Sequence, residues 1–212
     1  MVKMMIRAAI FDFGGVVLDF PSTGIEKFVS HSLNIPMDLV KKTLFPTGGE
    51  LIEGKVLEST FWENYAHFVQ RTLPSDWEEQ LRKFFSKNAQ VNAKVIQIAQ
   101  ALKEKGVLLP LLSNISPFQV KIFKNLHYFI PFDPLLFSCE IGFKKPDPRI
   151  FEFLLEKIAL EAQECLFIDD DEQNVRAANN LGINGIQFHS VQKLICDLMP
   201  FFAFDLSPKK IH

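Results

Sequence analysis

At 212 residues, with 48% apolar and 23% charged, the chain suits one α/β domain carrying a smaller insert. A net charge of −2 gives no electrostatic footprint for nucleic acid, and no apolar run is long enough to span a membrane. Cys139, Cys165 and Cys196 form no disulfide or metal spacing, and the first apolar stretch runs straight into Asp12, so a cytoplasmic protein with free, buried thiols is expected.

The first strand is predicted over residues 6–12, where Arg7-Ala8-Ala9-Ile10-Phe11 ends in Asp12 and then turns on Gly14 and Gly15. A strand that stops there places its carboxylate at the C-terminal edge of a sheet, the edge where open α/β folds bind ligands. Residues 20–90 then read as helical throughout: Ile25, Phe28 and Val29 share one face, Phe61, Tyr65, Phe68 and Val69 another, Trp77, Leu81, Phe84 and Phe85 a third. An insert of this size beside Asp12 can act as a lid, the alternative being a fixed helical extension. Thr47-Gly48-Gly49-Glu50 reads by default as a solvated turn, or else as a loop brought toward the site.

Further strands are predicted over 107–112, 134–138, 164–169 and 184–188. Helical repeats precede the strands at 107–112, 164–169 and 184–188: Val95, Ile98, Ala99 and Leu102; Phe151, Leu154, Leu155 and Ile158; Val175, Ala178 and Leu181, with Gly182 as a stop. This alternation implies right-handed crossovers and a parallel sheet. Pro110 sits badly in an interior strand and suggests a bulge. The fourth run, Cys165-Leu166-Phe167-Ile168, ends in Asp169, Asp170 and Asp171; acids gathered at neighbouring strand ends repel unless a cation lies among them, which points to Mg²⁺. Phenylalanine is abundant at 22 residues, mostly as core, and Phe201-Phe202-Ala203-Phe204 is expected to dock on its own chain.

With these residues in hand, the chain resembles the haloacid dehalogenase-like (HAD) hydrolases. The resemblance spans nearly the whole length. Motif one matches Asp12-Phe13-Gly14-Gly15-Val16, motif two Leu111-Leu112-Ser113-Asn114, motif three Gly142-Phe143-Lys144-Lys145-Pro146-Asp147, and motif four Phe167-Ile168-Asp169-Asp170. Each match alone is weak; together, in order and at strand ends or helix starts, they are specific. The resemblance implies a Rossmann-like three-layer α/β core, residues 1–19 and 91–212, with the first strand central, and an all-helical cap over 20–90.

By the same resemblance, Asp12 is the nucleophile that forms an aspartyl phosphate. Ser113 and Asn114 bind the phosphate, with Ser116-Pro117 opening a helix whose N-terminus is an anion seat. Lys145 stabilises charge; Lys144 competes for that role, but the motif favours the lysine before Pro146. Asp12, the Gly14 carbonyl, Asp169 and Asp170 form the Mg²⁺ site, Asp170 directly and Asp169 beside it. Asn174 stands behind the metal, and Asp147 and Asp171 cap helices.

Gly14 departs from the pattern. Most phosphatases of the superfamily carry there a second Asp, the general acid–base, worth about 10²–10⁴-fold. Asp19 could supply a proton but reads better as a shaper of the hinge. The expected activity is Mg²⁺-dependent hydrolysis of a small phosphorylated metabolite, a sugar phosphate among the candidates, by a monomer or homodimer. Two alternatives stay open: a slow or non-catalytic binding protein, and a metal-independent 2-haloacid dehalogenase, against which the Asp169–Asp170 pair argues.

Overall fold

The structure is a computed structural model that describes residues 5–20 and 24–202. Strand β1 (Ala8–Phe11) is followed by β2 (Leu18–Asp19) and five helices: α1 (Gly24–Leu33), α2 (Met37–Thr47), α3 (Gly49–Ile52), α4 (Glu58–Phe68) and α5 (Trp77–Asn88). Next come β3 (Gln90–Val91), α6 (Ala93–Glu104), β4 (Leu111–Ser113), α7 (Pro117–Asn125), β5 (Leu135–Phe137) and α8 (Ser138–Ile141). The chain continues through α9 (Pro148–Ile158), β6 (Cys165–Asp169), α10 (Glu172–Asn180), β7 (Asn184–Gln187) and α11 (Val191–Leu198).

The main sheet is parallel, in the order β5-β4-β1-β6-β7, with β1 central as expected. After β1 the chain builds β4 and β5 on one side and then crosses to β6 and β7 on the other. That reversal opens a crevice at the C-terminal ends of β1, β4 and β6. Ala8 through Phe11 are fully buried because both faces of the sheet are covered. Side chains alternate along the strand, so Ala9 and Phe11 join the cluster holding Val95, Ile98 and Leu102 of α6, while Ala8 and Ile10 join Ile150, Phe151 and Leu154 of α9. Three layers result.

The second predicted strand is shorter than expected. Pro110 has no N–H, so the ladder breaks there: β4 begins at Leu111, and residues 108 and 109 make only single bridges, to Ala8 and Asp133. Gly182 (φ +86°) ends the α10 turn as expected.

The predicted helical stretch is helical apart from its connections. Phe61, Trp62, Tyr65, Leu81 and Phe85 are buried in one cluster with the sheet core, and the Phe85 ring meets Phe123 of α7 at 6.2 Å. Phe68 does not share this face; it is 61% exposed, since α4 ends at it. An antiparallel ribbon, Leu18↔Val91 and Asp19↔Gln90, ties the chain's exit from the sheet to its return. Two-residue strands carry no hydrophobic period, so the ribbon left no trace in the sequence pattern. Phe202 is buried against the core and Phe201 half-buried beside it, while Ala203 and Phe204 lie outside the described residues. Cys165 is buried, but Cys196 is exposed, against the expectation of buried thiols. Among the described residues no helix is long and apolar enough to cross a membrane.

Candidate active site

Adjacent strands β1 and β6 run in register, Phe11 opposite Ile168, so Asp12 and Asp169 leave the sheet at the same level. Lys145, on the loop before α9, reaches between them: its Nζ donates to Asp12 Oδ1 at 2.6 Å and to Asp169 Oδ2 at 2.6 Å. All three are buried, so their mutual charge is poorly screened. Burial pushes the Asp12 carboxyl up to about 7; Lys145 works against this and Asp169 adds to it. Burial also disfavours the Lys145 ammonium, yet the two facing carboxylates hold its pKa above the usual lysine value.

The neighbours fix this triad. Asn114 donates through Nδ2 to the Lys145 carbonyl and accepts at Oδ1 from the Lys145 N–H, each at 2.8 Å. The Asn114 side chain expected at the phosphate is therefore engaged in holding the lysine loop. Asp169 accepts at Oδ1 from the Asp171 N–H (2.8 Å), and Asn174 Nδ2 reaches its two oxygens at 3.1 and 3.2 Å. Asp171 caps α10 and Asp147 caps α9, each accepting from the backbone two residues on. Lys144, the competing lysine, turns away to Glu53 at 3.0 Å.

Asp12, Asp169 and Asp170 each offer an oxygen within 4.8 Å of the others, a donor set suited to a hard divalent cation. Asp170 reaches solvent, although packing around its carboxylate, with Asp169 nearby, raises its pKa. Gly15 makes room for it: φ is +77°, and an added Cβ would sit 2.3 Å from Asp170 Oδ2. Gly14 differs, because a Cβ there meets nothing within 4 Å. Asp19, in the ribbon, is exposed and paired with Gln90.

Ser113 ends β4, buried, its hydroxyl unengaged by any other described residue. The register Phe11↔Leu111 brings it to the same sheet edge as Asp12. Ser116 caps α7 in a capping box with Gln119, and Pro117 opens the helix, as expected. That helix start is not an open anion seat, however. Glu58 of α4 covers it, Oε2 accepting from the Phe118 N–H at 3.3 Å and Oε1 from Trp62 Nε1 at 3.0 Å. Burial raises the Glu58 carboxyl above the ordinary range. The sequence carries no signal for this occupant, because it lies 60 residues away in the chain.

Two more such contacts join the insert to α8, just after β5. Ser138 Oγ donates to the Ile52 carbonyl at 2.6 Å, and Gly54 lies so close to Cys139 that a Cβ would meet its carbonyl oxygen at 2.0 Å. Neither has a sequence signal. Beside Asn114 and Lys144 a cleft of about 400 Å³ opens between α2–α4 and α7, and Gly48 and Gly49 line it. The glycine pair thus faces the cleft instead of forming a solvated turn. A larger cavity, about 540 Å³, lies at the opposite, N-terminal edge of the sheet among Arg7, Gly106 and Phe202, away from the carboxylates.

The family model for haloacid dehalogenase-like hydrolases matches residues 6–182, and the chain belongs to that family. Among curated proteins it is 28% identical over 196 residues to D-ribitol-5-phosphate phosphatase of Bacteroides thetaiotaomicron, covering 86% of this chain and 92% of that one. It is 27% identical over 221 residues to acyl-CoA dehydrogenase family member 10 of Mus musculus, and 28% over 220 residues to bifunctional epoxide hydrolase 2 of the same species, covering 94% and 92% of this chain. Against those two the chain spans only 19% and 38% of the relative's length. A predicted HAD-like hydrolase from Porphyromonas gingivalis shares the fold at TM-score 0.78 and 22% identity, covering 95% of this chain and all of that one. A HAD family enzyme from B. thetaiotaomicron, solved with magnesium and inorganic phosphate, does so at TM-score 0.72 and 21% identity, covering 87% and 94%.

Proposed function

We propose that the protein is a Mg²⁺-dependent phosphatase that hydrolyses a small phosphorylated metabolite through an aspartyl phosphate on Asp12. The observation that carries this reading is the buried lysine held between two strand-end carboxylates, with a third acid and a serine at the same edge. The magnesium- and phosphate-bound relative of the same fold and the D-ribitol-5-phosphate phosphatase relative support it.

In this reading one oxygen of Asp12 stays with Lys145 and the other attacks phosphorus. A P–O bond to Asp12 forms as the ester P–O bond breaks, and the departing alkoxide takes its proton from water. Lys145 and the Ser113 hydroxyl hold charge that builds on the phosphoryl oxygens. Water then attacks the aspartyl phosphate, releasing inorganic phosphate and restoring the carboxylate. The oxygen-only donors, three acids against one ammonium, fit Mg²⁺; Asp12, Asp170 and the Gly14 carbonyl would hold it, with Asp169 behind, and when bound it would neutralise charge between carboxylate and phosphate. Residues 20–90 act as a cap domain over this edge, and Asn114 and Asn174 act by positioning Lys145 and Asp169.

A phosphate-release screen against sugar, nucleotide and simple ester monophosphates, run with Mg²⁺ and with chelator, tests the proposal. Release that needs the metal and vanishes in Asp12→Asn is expected; no release from any substrate with Mg²⁺ present sinks it. The open space at Gly14 favours a second reading, the same chemistry stalled for want of a proton donor. A long-lived aspartyl phosphate seen by mass spectrometry, without turnover, would select it.

A further inference from the structure

The cleft beside Asn114 and Lys144 starts where the catalytic edge stops, since those residues directly follow Ser113 and precede Lys145. Its walls are apolar: Phe20, Leu44, Phe45, Leu51, Phe61 and Trp62 among them. Its volume of about 400 Å³ lies within the usual range of small-molecule sites. The polar side chains in the lining are largely committed already. Asn114 holds the Lys145 backbone, and Ser116 and Gln119 Oε1 cap α7. Glu58 covers the α7 start, and Lys144 pairs with Glu53. Among the lining side chains the Gln119 amide nitrogen is left without a protein partner in the described residues.

Hydroxyl groups entering such a space lose water and gain few partners, a cost that a hydrocarbon does not carry. Resting on the phosphatase reading of Asp12, we infer that this cleft receives the apolar body of the substrate, and that the preferred substrates are monophosphate esters of apolar alcohols, not of polyols. The phosphate lies at the Lys145 end. The Glu58 carboxyl in the lining disfavours a second anionic group in the cleft. This departs from the sugar phosphate that stood among the candidates from the sequence.

The test is kcat/KM of the full chain with Mg²⁺ on butyl, hexyl and octyl phosphate beside ribitol 5-phosphate. Burying each added methylene is expected to raise kcat/KM by roughly fourfold until the cleft fills, so octyl should exceed butyl by at least about tenfold. A flat or falling series, with ribitol 5-phosphate the better substrate, overturns the inference and leaves the phosphatase reading standing. If none of these esters is hydrolysed, the broad monophosphate screen decides the phosphatase reading and calorimetric binding of butyl- and octylphosphonate decides the cleft: tighter octyl binding supports it, equal binding overturns it. Phe45→Ser alters an exposed ring on the rim, so folding should persist, as a melting curve would verify. It should lower the octyl-to-butyl ratio severalfold; an unchanged ratio counts against the cleft.

Discussion

Asn114 and Lys145, 31 residues apart, exchange two hydrogen bonds of 2.8 Å, between the Asn114 side-chain amide and the backbone N–H and carbonyl of Lys145. The strand that delivers Ser113 therefore also fixes the loop that delivers the lysine. Asn114→Ala would leave the Lys145 N–H and carbonyl without these partners and let the loop drift, costing about 1–3 kcal/mol of stability and lowering kcat more than it raises KM. Asn114→Asp keeps the acceptor and loses the donor, so it should fall between. Urea melts together with steady-state kinetics check both.

Lys145 is the only cation within bonding distance of Asp12 and Asp169 among the described residues. Lys145→Met would leave two buried carboxylates facing each other, at a cost of roughly 3–5 kcal/mol at neutral pH. Lowering the pH should recover part of it, since one of the two acids can then take a proton. Denaturant unfolding of the chelated protein at two pH values reads this directly.

Asp12 destabilises the metal-free fold at alkaline pH. Its folded pKa, about 7, lies above the ordinary carboxyl value of 3.8, so between those values the native state binds the extra proton. Stability must fall as pH rises through that window. Asp12→Asn should thus melt higher than wild type at pH 8 in chelator, the gap closing as pH falls toward 4, while its phosphatase activity is lost. A thermal-melt series across pH without metal measures it.

Gly14 has room for a side chain, an added Cβ meeting nothing within 4 Å, and its φ lies outside the glycine region. Gly14→Asp should fold normally and restore a proton donor. The gain, up to about 10²–10⁴-fold in kcat, should appear mainly with alkoxide leaving groups and shrink with p-nitrophenolate. Equal gains on both would show that the carboxylate acts otherwise.

Asp147 caps α9 and binds the Arg149 guanidinium, which holds its carboxyl down at about 2. A depressed carboxyl stabilises the fold above its unfolded pKa and loses that contribution as pH drops through the folded one. Asp147→Ala should cost about 1 kcal/mol at pH 7. The part due to charge should fade between about pH 4 and pH 2, seen as converging unfolding curves.

The five main strands and the capping residues of α7, α9 and α10 were legible because each rests on local chemistry: an apolar run, a terminal carboxylate, a proline after a serine or aspartate. Parallel pairing followed from strand–helix alternation, and the central place of β1 only from the family resemblance. The Asp12, Lys145 and Asp169 set was legible through motif order, since each residue ends or follows its own strand. The four-residue periodicity of α4 marked its buried face but not that Phe68 falls beyond its last packed turn.

The amino-acid order thus determined where carboxylates, lysine and serine stand along the chain, because strand ends and caps depend on neighbours within a few residues. Only the tertiary structure decided what those groups face. Glu58 on the start of α7 and Glu53 drawing Lys144 aside depend on contacts across 60 residues or more, from Glu58–Phe118 at 60 to Glu53–Lys144 and Ile52–Ser138 farther still, and the apolar walls beside Asn114 gather side chains from Phe20 to Phe85. Such pairings follow from how the helices bury their aromatic faces, a packing solution that no local pattern encodes.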